Sequence, residues 1–389
     1  MPFKSIFSNY ALIGEDLELK QNVSIEVNEN GIISNISYEN LENVIINSSN
    51  SHCFLLLPCF INSHTHVGDN FAKELGFNKE LTEVVAPPFG LKHQLLRQTE
   101  IDIKIEGIKK AALEMLSNGI SCFIDFREGG IEGIKLIKNA LETIPINCLI
   151  FGRFMDESEI ESVFNLADGI GLSSYKFITN STKKFISNSK KSHNKMIACH
   201  CAEKNRSSEL INRLFADNLV DIIIHGTKYI REDLMNIQKL SKSLVICPRC
   251  NGYFGVGFPP ITEVLKLEIP ISLGTDNSMA NSLDMFEEMR YLYRIFRVLS
   301  RHEKSIHLTS KELLKMVTIN AARNFRLENE RGSISMGKKA DFFVIDLNEP
   351  NLYTSILNES NIFDLIVQRT VSANIKRTYI KGEVAFERK

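Results

Sequence analysis

Eight short apolar runs, separated by amphipathic stretches of helical period, constrain this chain more than any other feature. The runs fall at 55–60, 120–126, 146–152, 169–174, 196–200, 221–225, 243–248 and 269–274. Between them, segments such as 101–118, 206–219 and 231–242 repeat apolar residues every three or four positions. Strand and helix in alternation call for a parallel sheet with crossover helices, an α/β fold. Eight strands is the count of a closed (β/α)8 TIM barrel. An open doubly wound sheet would announce a Gly-rich phosphate loop after its first strand; here the first run leads into Asn62-Ser63-His64-Thr65-His66.

The two chain ends read differently. Segments 23–27 and 31–36 have period-two character between Asn and Gly turn signals, 341–346 is a compact apolar strand, and 375–386 alternates around a Lys-Gly turn. Both ends together predict a small composite β-sandwich domain. The expected division is 1–54 for its N-terminal part, 55–330 for the barrel and 331–389 for its C-terminal part.

Composition excludes several functions. Lys plus Arg total 46 against 47 for Asp plus Glu, so no overall basic field exists to hold a nucleic acid or an anionic membrane. The early apolar stretch 53–61 is far shorter than the ~20 residues that span a bilayer. The start also lacks a signal-peptide profile, which makes a cytoplasmic protein the expectation. Eight cysteines are scattered through apolar runs, as reduced core thiols are. Cys247 and Cys250 form a CxxC and Cys199 and Cys201 flank His200, which raises a structural zinc or a redox pair; no second CxxC completes a set of four thiolate ligands.

The histidines carry the chemical signal. Among nine, His64 and His66 follow the first run, His200 ends the fifth and His225 ends the sixth, while Asp276 follows the eighth. The C-terminal ends of barrel strands converge on one opening, where barrel active sites form. His64 and His66 are two apart, so strand alternation can aim both into that mouth and turn Thr65 away. Three imidazoles and a carboxylate, His64, His66, His200 and Asp276, suit one divalent metal: Zn2+ first, with Fe2+ or Mn2+ compatible. An open position would take a water whose pKa the metal lowers towards ~7. Glu203 lies three residues past His200, near enough to shuttle protons. His225 is placed to orient or deprotonate the nucleophile.

These residues, in this order, resemble the amidohydrolase superfamily, in its cytosine deaminase-like, chlorohydrolase and S-adenosylhomocysteine deaminase branch. Leu57-Pro58-Cys59-Phe60-Ile61-Asn62-Ser63-His64-Thr65-His66 is similar to the branch's entry motif and His200-Cys201-Ala202-Glu203 to its HxxE. His225-Gly226, Cys247-Pro248-Arg249-Cys250-Asn251 and Gly274-Thr275-Asp276-Asn277 continue the match, and 318–323 with 332–341 resembles its return to the sheet domain. The resemblance implies a mononuclear site with His64, His66, His200 and Asp276 as ligands, Glu203 as acid/base and His225 orienting water. It implies hydrolysis of a non-peptide carbon–nitrogen bond, above all deamination of an aminated purine, pyrimidine or pterin; homo-oligomers are common among members, and the residues leave the oligomeric state open. Cyclic-amide or C–Cl hydrolysis on the same site, and an inactive barrel serving as a binding protein, are the competing readings.

Two departures bear on substrate and metal. Many deaminases of the branch carry His-Ala-Pro-Tyr after the fourth strand, where this chain has Gly171-Leu172-Ser173-Ser174-Tyr175-Lys176. Lys176 is also similar to the carboxylated lysine of binuclear relatives, which leaves a second metal open. The long segment 67–99, with Asp69 and Lys92, reads as a pocket cover. Arg127, Arg153 and Arg249 follow strands two, three and seven, and guanidinium groups there would suit an anionic group on a small substrate. Asp69, Lys92, Arg127, Arg153 and Arg249 are therefore candidate substrate contacts.

Overall fold

A computed structural model describes residues 4–40, 53–303, 305–355, 357–359 and 361–388. Part of the expected N-terminal domain, 41–52, lies outside the described residues. The strands are β1 (Lys4–Ile13), β2 (Glu18–Val27), β3 (Ile33–Glu39), β4 (Phe54–Pro58), β5 (Phe60–His66), β6 (Ile120–Arg127), β7 (Asn147–Gly152) and β8 (Gly169–Leu172). They continue as β9 (Met196–Cys201), β10 (Ile222–His225), β11 (Ser243–Ile246), β12 (Ile271–Leu273), β13 (Asp276–Asn277), β14 (Phe342–Asp346), β15 (Ile375–Ile380) and β16 (Glu383–Glu387).

β5 to β12 pair in chain order, every neighbour parallel, and β13 pairs with β5. β12 and β13 are two pieces of one eighth strand: the first bonds β11, the second bonds β5, and the barrel closes between them. Gly274 sits at the break because a Cβ there would lie 2.6 Å from the His64 Cβ. The seam is held by Asn62, whose Nδ2 donates to Thr275 Oγ1 at 2.8 Å and whose Oδ1 accepts from the Thr275 N–H at 3.0 Å. Most barrel strands are buried on both faces, with β7, β9 and β11 partly buried at one end. Ile61, Cys122, Ile124, Phe126 and Phe151 fill the interior, while Phe60, Phe123, Ile150 and Ile170 meet the surrounding helices.

The first apolar run, 55–60, does not form one barrel strand as expected. It divides into β4, which joins the terminal sheet, and the start of β5. The terminal strands form one seven-stranded sheet in the order β16-β15-β14-β4-β1-β2-β3, so both chain ends do combine, as a single hydrogen-bonded sheet where the sequence reading expects a sandwich. Its β15–β16 hairpin turns at Lys381-Gly382, both with positive φ, 51° and 75°. The strand the sequence reading misses is β1: Ser8 fills a buried slot while Phe7 is 76% exposed, which blurs its alternation. Among the described residues no helix is long and apolar enough to cross a membrane.

Candidate active site

Strand parity alone would not build this site. In β5, Phe60 faces the helices and Ile61 the interior, so unbroken alternation would turn His64 and His66 outward with Phe60. The β5–β6 register instead slips between Asn62 and Thr65. That bulge returns both histidines to the interior and leaves Thr65 outward, its Oγ1 donating to Ile124 O at 3.1 Å. In β10, Ile222 and Ile224 face inward and Ile223 outward, so His225 should follow Ile223. Its φ of 74° swings it into the mouth, and Asp276 likewise has φ 63°. Such left-handed backbone at non-glycine residues costs about 1–3 kcal/mol each and clusters at functional sites.

The donor atoms converge. His200 Nε2 lies 3.2 Å from His64 Nε2 and 3.4 Å from His66 Nε2. Asp276 Oδ1 is 3.3 Å from His64 Nε2 and 3.7 Å from His66 Nε2. Atoms bound tetrahedrally to one ion at about 2.0–2.2 Å sit roughly 3.3–3.6 Å apart, and these four separations are close to that; two sets have donor atoms all within 4.8 Å of one another, His64 with His66 and His200, and His64 with His225 and Asp276. The proton positions agree. His66 Nδ1 faces Phe126 O at 3.1 Å and Glu128 Oε1 at 2.8 Å, and His200 Nδ1 faces Leu172 O at 3.0 Å. Those acceptors hold the ring protons on Nδ1, so bare Nε2 lone pairs point at one another. Burial keeps the rings neutral, pushing His66 down to about 3 and His200 well below its ordinary value. Facing lone pairs repel unless a cation lies between them, and this donor set suits a divalent metal.

His225 differs. Its Nδ1 is 3.1 Å from Asn251 Oδ1, and Asn251 Nδ2 donates to Thr227 Oγ1 at 3.3 Å. This network assigns the His225 proton to Nδ1 and leaves Nε2 bare, 3.6 Å from Glu203 Oε2 and 3.8 Å from Asp276 Oδ2. The two carboxyl groups are driven apart. Burial and the negative charge of Asp276 hold the Glu203 carboxyl well above its ordinary value. Burial acts on Asp276 as well, but the His64 hydrogen bond holds it well below the carboxylate range. Five of these six groups, His66, His200, Glu203, His225 and Asp276, edge a cavity of about 310 Å3, whose apolar side is formed by Leu81, Val85 and Pro87 of the covering segment. Asn251 and Glu128 are site residues the sequence reading leaves without a role; the spacing of Asn251 after Cys247-Pro248 was the available signal for one of them.

Most of the expected substrate contacts lie elsewhere. Asp69 is buried away from the cavity, Oδ1 accepting from Ser278 Oγ at 2.9 Å and the Met279 N–H at 3.0 Å, and burial lifts its carboxyl to about 6. Arg127 is enclosed between Glu128 at 2.8 Å and Asp125 at 3.6 Å and does not edge this cavity. Lys92 edges the cavity, but Glu128 and Asn277 hold its Nζ at 2.6 and 3.0 Å. Arg153 alone of the three arginines edges the cavity. Lys176 is exposed at the rim with its Nζ 4.7 Å above the Phe177 ring, unlike a buried lysine bridging two metals. All eight cysteines are free thiols, and none joins a metal-competent group among the described residues.

Arg249 points outward, 3.0 Å from Glu287 and 3.6 Å from Glu288. Burial pushes the Glu288 carboxyl from 4.5 up to about 7. Folded protein therefore keeps a proton that the unfolded chain releases between these values. The resulting penalty is absent below the lower value and complete above about pH 7, where it approaches about 3 kcal/mol. Glu288→Gln should raise Tm at pH 8 clearly more than at pH 5 in thermal melts. Equal shifts at the two pH values would contradict this account.

A closed eight-stranded barrel with such a cluster at its C-terminal mouth has the architecture of a barrel hydrolase. The chain belongs to the amidohydrolase family, whose profile matches residues 55–385. An uncharacterized protein of Methanocaldococcus jannaschii is 34% identical over 385 residues, 94% of each chain. A 5-methylthioadenosine/S-adenosylhomocysteine deaminase of Caldanaerobacter subterraneus subsp. tengcongensis is 26% identical over 371 residues, 86% of this chain and 82% of that one. The crystal structure of an adenosine deaminase from Xanthomonas campestris with bound zinc has a TM-score of 0.81 at 16% identity, covering 98% of this chain and 92% of that one. At that identity the likeness is one of fold.

Proposed function

We propose that this protein is a metal-dependent aminohydrolase that deaminates an aminated heterocycle of purine, pyrimidine or pterin type carrying an anionic group. The observation that carries the reading is the set of inward-facing imidazole lone pairs beside two carboxyl groups with opposite proton affinities. His64, His66, His200 and Asp276 would hold one divalent ion, Zn2+ by donor type. When bound, that ion supplies Lewis acidity, which lowers the pKa of a water towards ~7.

The chain's own groups do the rest. Glu203, its carboxyl held well above its ordinary value by burial and the Asp276 charge, donates its proton to the ring nitrogen beside the reacting carbon, relieving charge as water adds. The bare Nε2 of His225 accepts a hydrogen bond from the attacking water and fixes its approach, and Asn251 keeps that tautomer in place. The Glu203 carboxylate takes up the proton that the adding water loses and passes it to the leaving amine, which departs as ammonia, and the hydroxyl proton lost as the carbonyl forms restores the carboxyl. The apolar side made by Leu81, Val85 and Pro87 covers a flat ring.

Arg153 would receive the anionic group. It forms no ion pair among the described residues, and its buried Nε has no hydrogen-bond partner. Replacing it with Met should raise KM for an anionic substrate about 10–100-fold while kcat changes little, since a hydrogen bond to a charged group is worth about 1.5–3 kcal/mol. Unchanged KM would remove the anionic group from the proposal.

We also read the barrel as the catalytic unit and the terminal sheet as its scaffold. Pairing of β4 within the seven-stranded sheet argues for a boundary at Cys59 rather than residue 54. The test of function is metal analysis of purified protein with an ammonia-release screen over aminated purines, pyrimidines, pterins and guanidino compounds. One metal per chain and ammonia from one class are expected. Chloride release or ring opening without ammonia would overturn deamination.

A further inference from the structure

Lys92 is a buried cation that the reaction above does not use. It stands on the helix Leu91–Gln98 of the covering segment and is 2% exposed. Its Nζ lies 2.6 Å from Glu128 Oε1 and 3.5 Å from Asp69 Oδ2, and it donates to Asn277 Oδ1 at 3.0 Å. Two of these partners lead directly to proposed metal ligands. Glu128 Oε1 is 2.8 Å from His66 Nδ1, and Asn277 Nδ2 donates to Asp276 Oδ1 at 3.0 Å. His66 ends β5 and Asp276 opens β13, the two edges at which the barrel closes. One ammonium therefore links both sides of the seam.

The chemistry of the side chain fits this place. An ammonium offers three donors around a point charge, and three oxygens surround it here. Its desolvation is offset by Glu128 and Asp69, whereas a substrate anion would find those donors already engaged. Arg127 completes the arrangement by holding the other Glu128 oxygen, Oε2, at 2.8 Å.

We propose that Lys92 is a positioning residue: through Glu128 it fixes the ring of His66, and through Asn277 the carboxylate of Asp276, so that the segment covering the pocket also sets the geometry of the metal ligands. This rests on the reading of the site as a metal centre. Groups that orient ligands from behind typically govern metal affinity by 10–100-fold.

The test titrates metal-free wild type, K92M, E128Q and the K92M/E128Q double variant with Zn2+ against a chromophoric chelator. Circular dichroism of each metal-free protein checks folding, and the visible spectrum of each Co2+-loaded protein reports ligand geometry. K92M is expected to bind Zn2+ about 10–100-fold more weakly with an altered Co2+ spectrum. K92R should recover part of the affinity, and the double variant should lose less than the product of the two single losses. Should K92M fail to fold, N277S takes its place, since it cuts the arm to Asp276 and leaves Lys92 its Glu128 partner. A K92M or N277S protein with wild-type Zn2+ affinity and Co2+ spectrum overturns the clamp, as do losses that simply multiply. If wild type itself takes up no Zn2+, the metal-centre reading falls first and the clamp with it.

Discussion

His200→Ala should leave a folded barrel that no longer retains stoichiometric metal after dialysis and has lost about 10^3-fold or more of its ammonia-releasing activity. His200 is the hub of the cluster: its Nε2 is the atom that faces both His64 Nε2 and His66 Nε2, at 3.2 and 3.4 Å. Removing it takes away one of three imidazoles and widens the remaining donors into a site that cannot enclose one ion. A metal contributes several kcal/mol to stabilising the charge of a hydrolytic transition state, and each 1.36 kcal/mol is a factor of ten. Metal content and single-turnover ammonia release are the measurements. A His200→Ala protein that keeps one metal per chain and activity within tenfold of wild type would sink the assignment of the site.

Glu203→Gln should separate binding from proton transfer. The amide matches the carboxyl in size and accepts the same contacts, so the metal content and KM should stay near wild type. It cannot deliver a proton to the ring nitrogen, nor carry the proton lost by the adding water to the leaving amine. The loss should therefore fall on kcat, by the 10^2–10^4-fold typical of a general acid/base. Burial and the neighbouring Asp276 charge raise the proton affinity of the Glu203 carboxyl, the direction this task needs. Equal kcat values for Glu203→Gln and wild type would move proton transfer to another group, with His225 the nearest at 3.6 Å.

The two results read different links of one chain. His200 reports whether the donors form a metal centre; Glu203 reports what that centre does once formed. Arg153, the guanidinium on the cavity wall, reports which molecule enters.

Much of this was legible in the residues. Apolar runs at strand length between helices of period 3.6 force a parallel sheet, because each run must bury both faces and each helix one. Histidines at the ends of those runs, with Asp276 after the last, mark the mouth, since parallel strands bring all their C-terminal ends together. Both properties are local or follow from topology, and a sequence carries them without knowing which side chain meets which.

What only the tertiary structure decided is orientation and partnership. Alternation can aim His64 and His66 either way; the register slip beside β6 turns them inward, the left-handed backbone of His225 does the same for that ring, and both depend on neighbouring strands. Three arginines after three strands look equivalent in sequence, yet Arg127 is taken by Asp125 and Glu128, Arg249 by Glu287 and Glu288, and Arg153 is left to the cavity. Lys92 looks like a substrate contact until Glu128 and Asn277 are seen to hold it. The reason is physical: a charge in a low-dielectric interior is governed by whichever opposite charge or hydrogen-bond acceptor folding brings within about 4 Å, and that distance is set by contacts far apart along the chain.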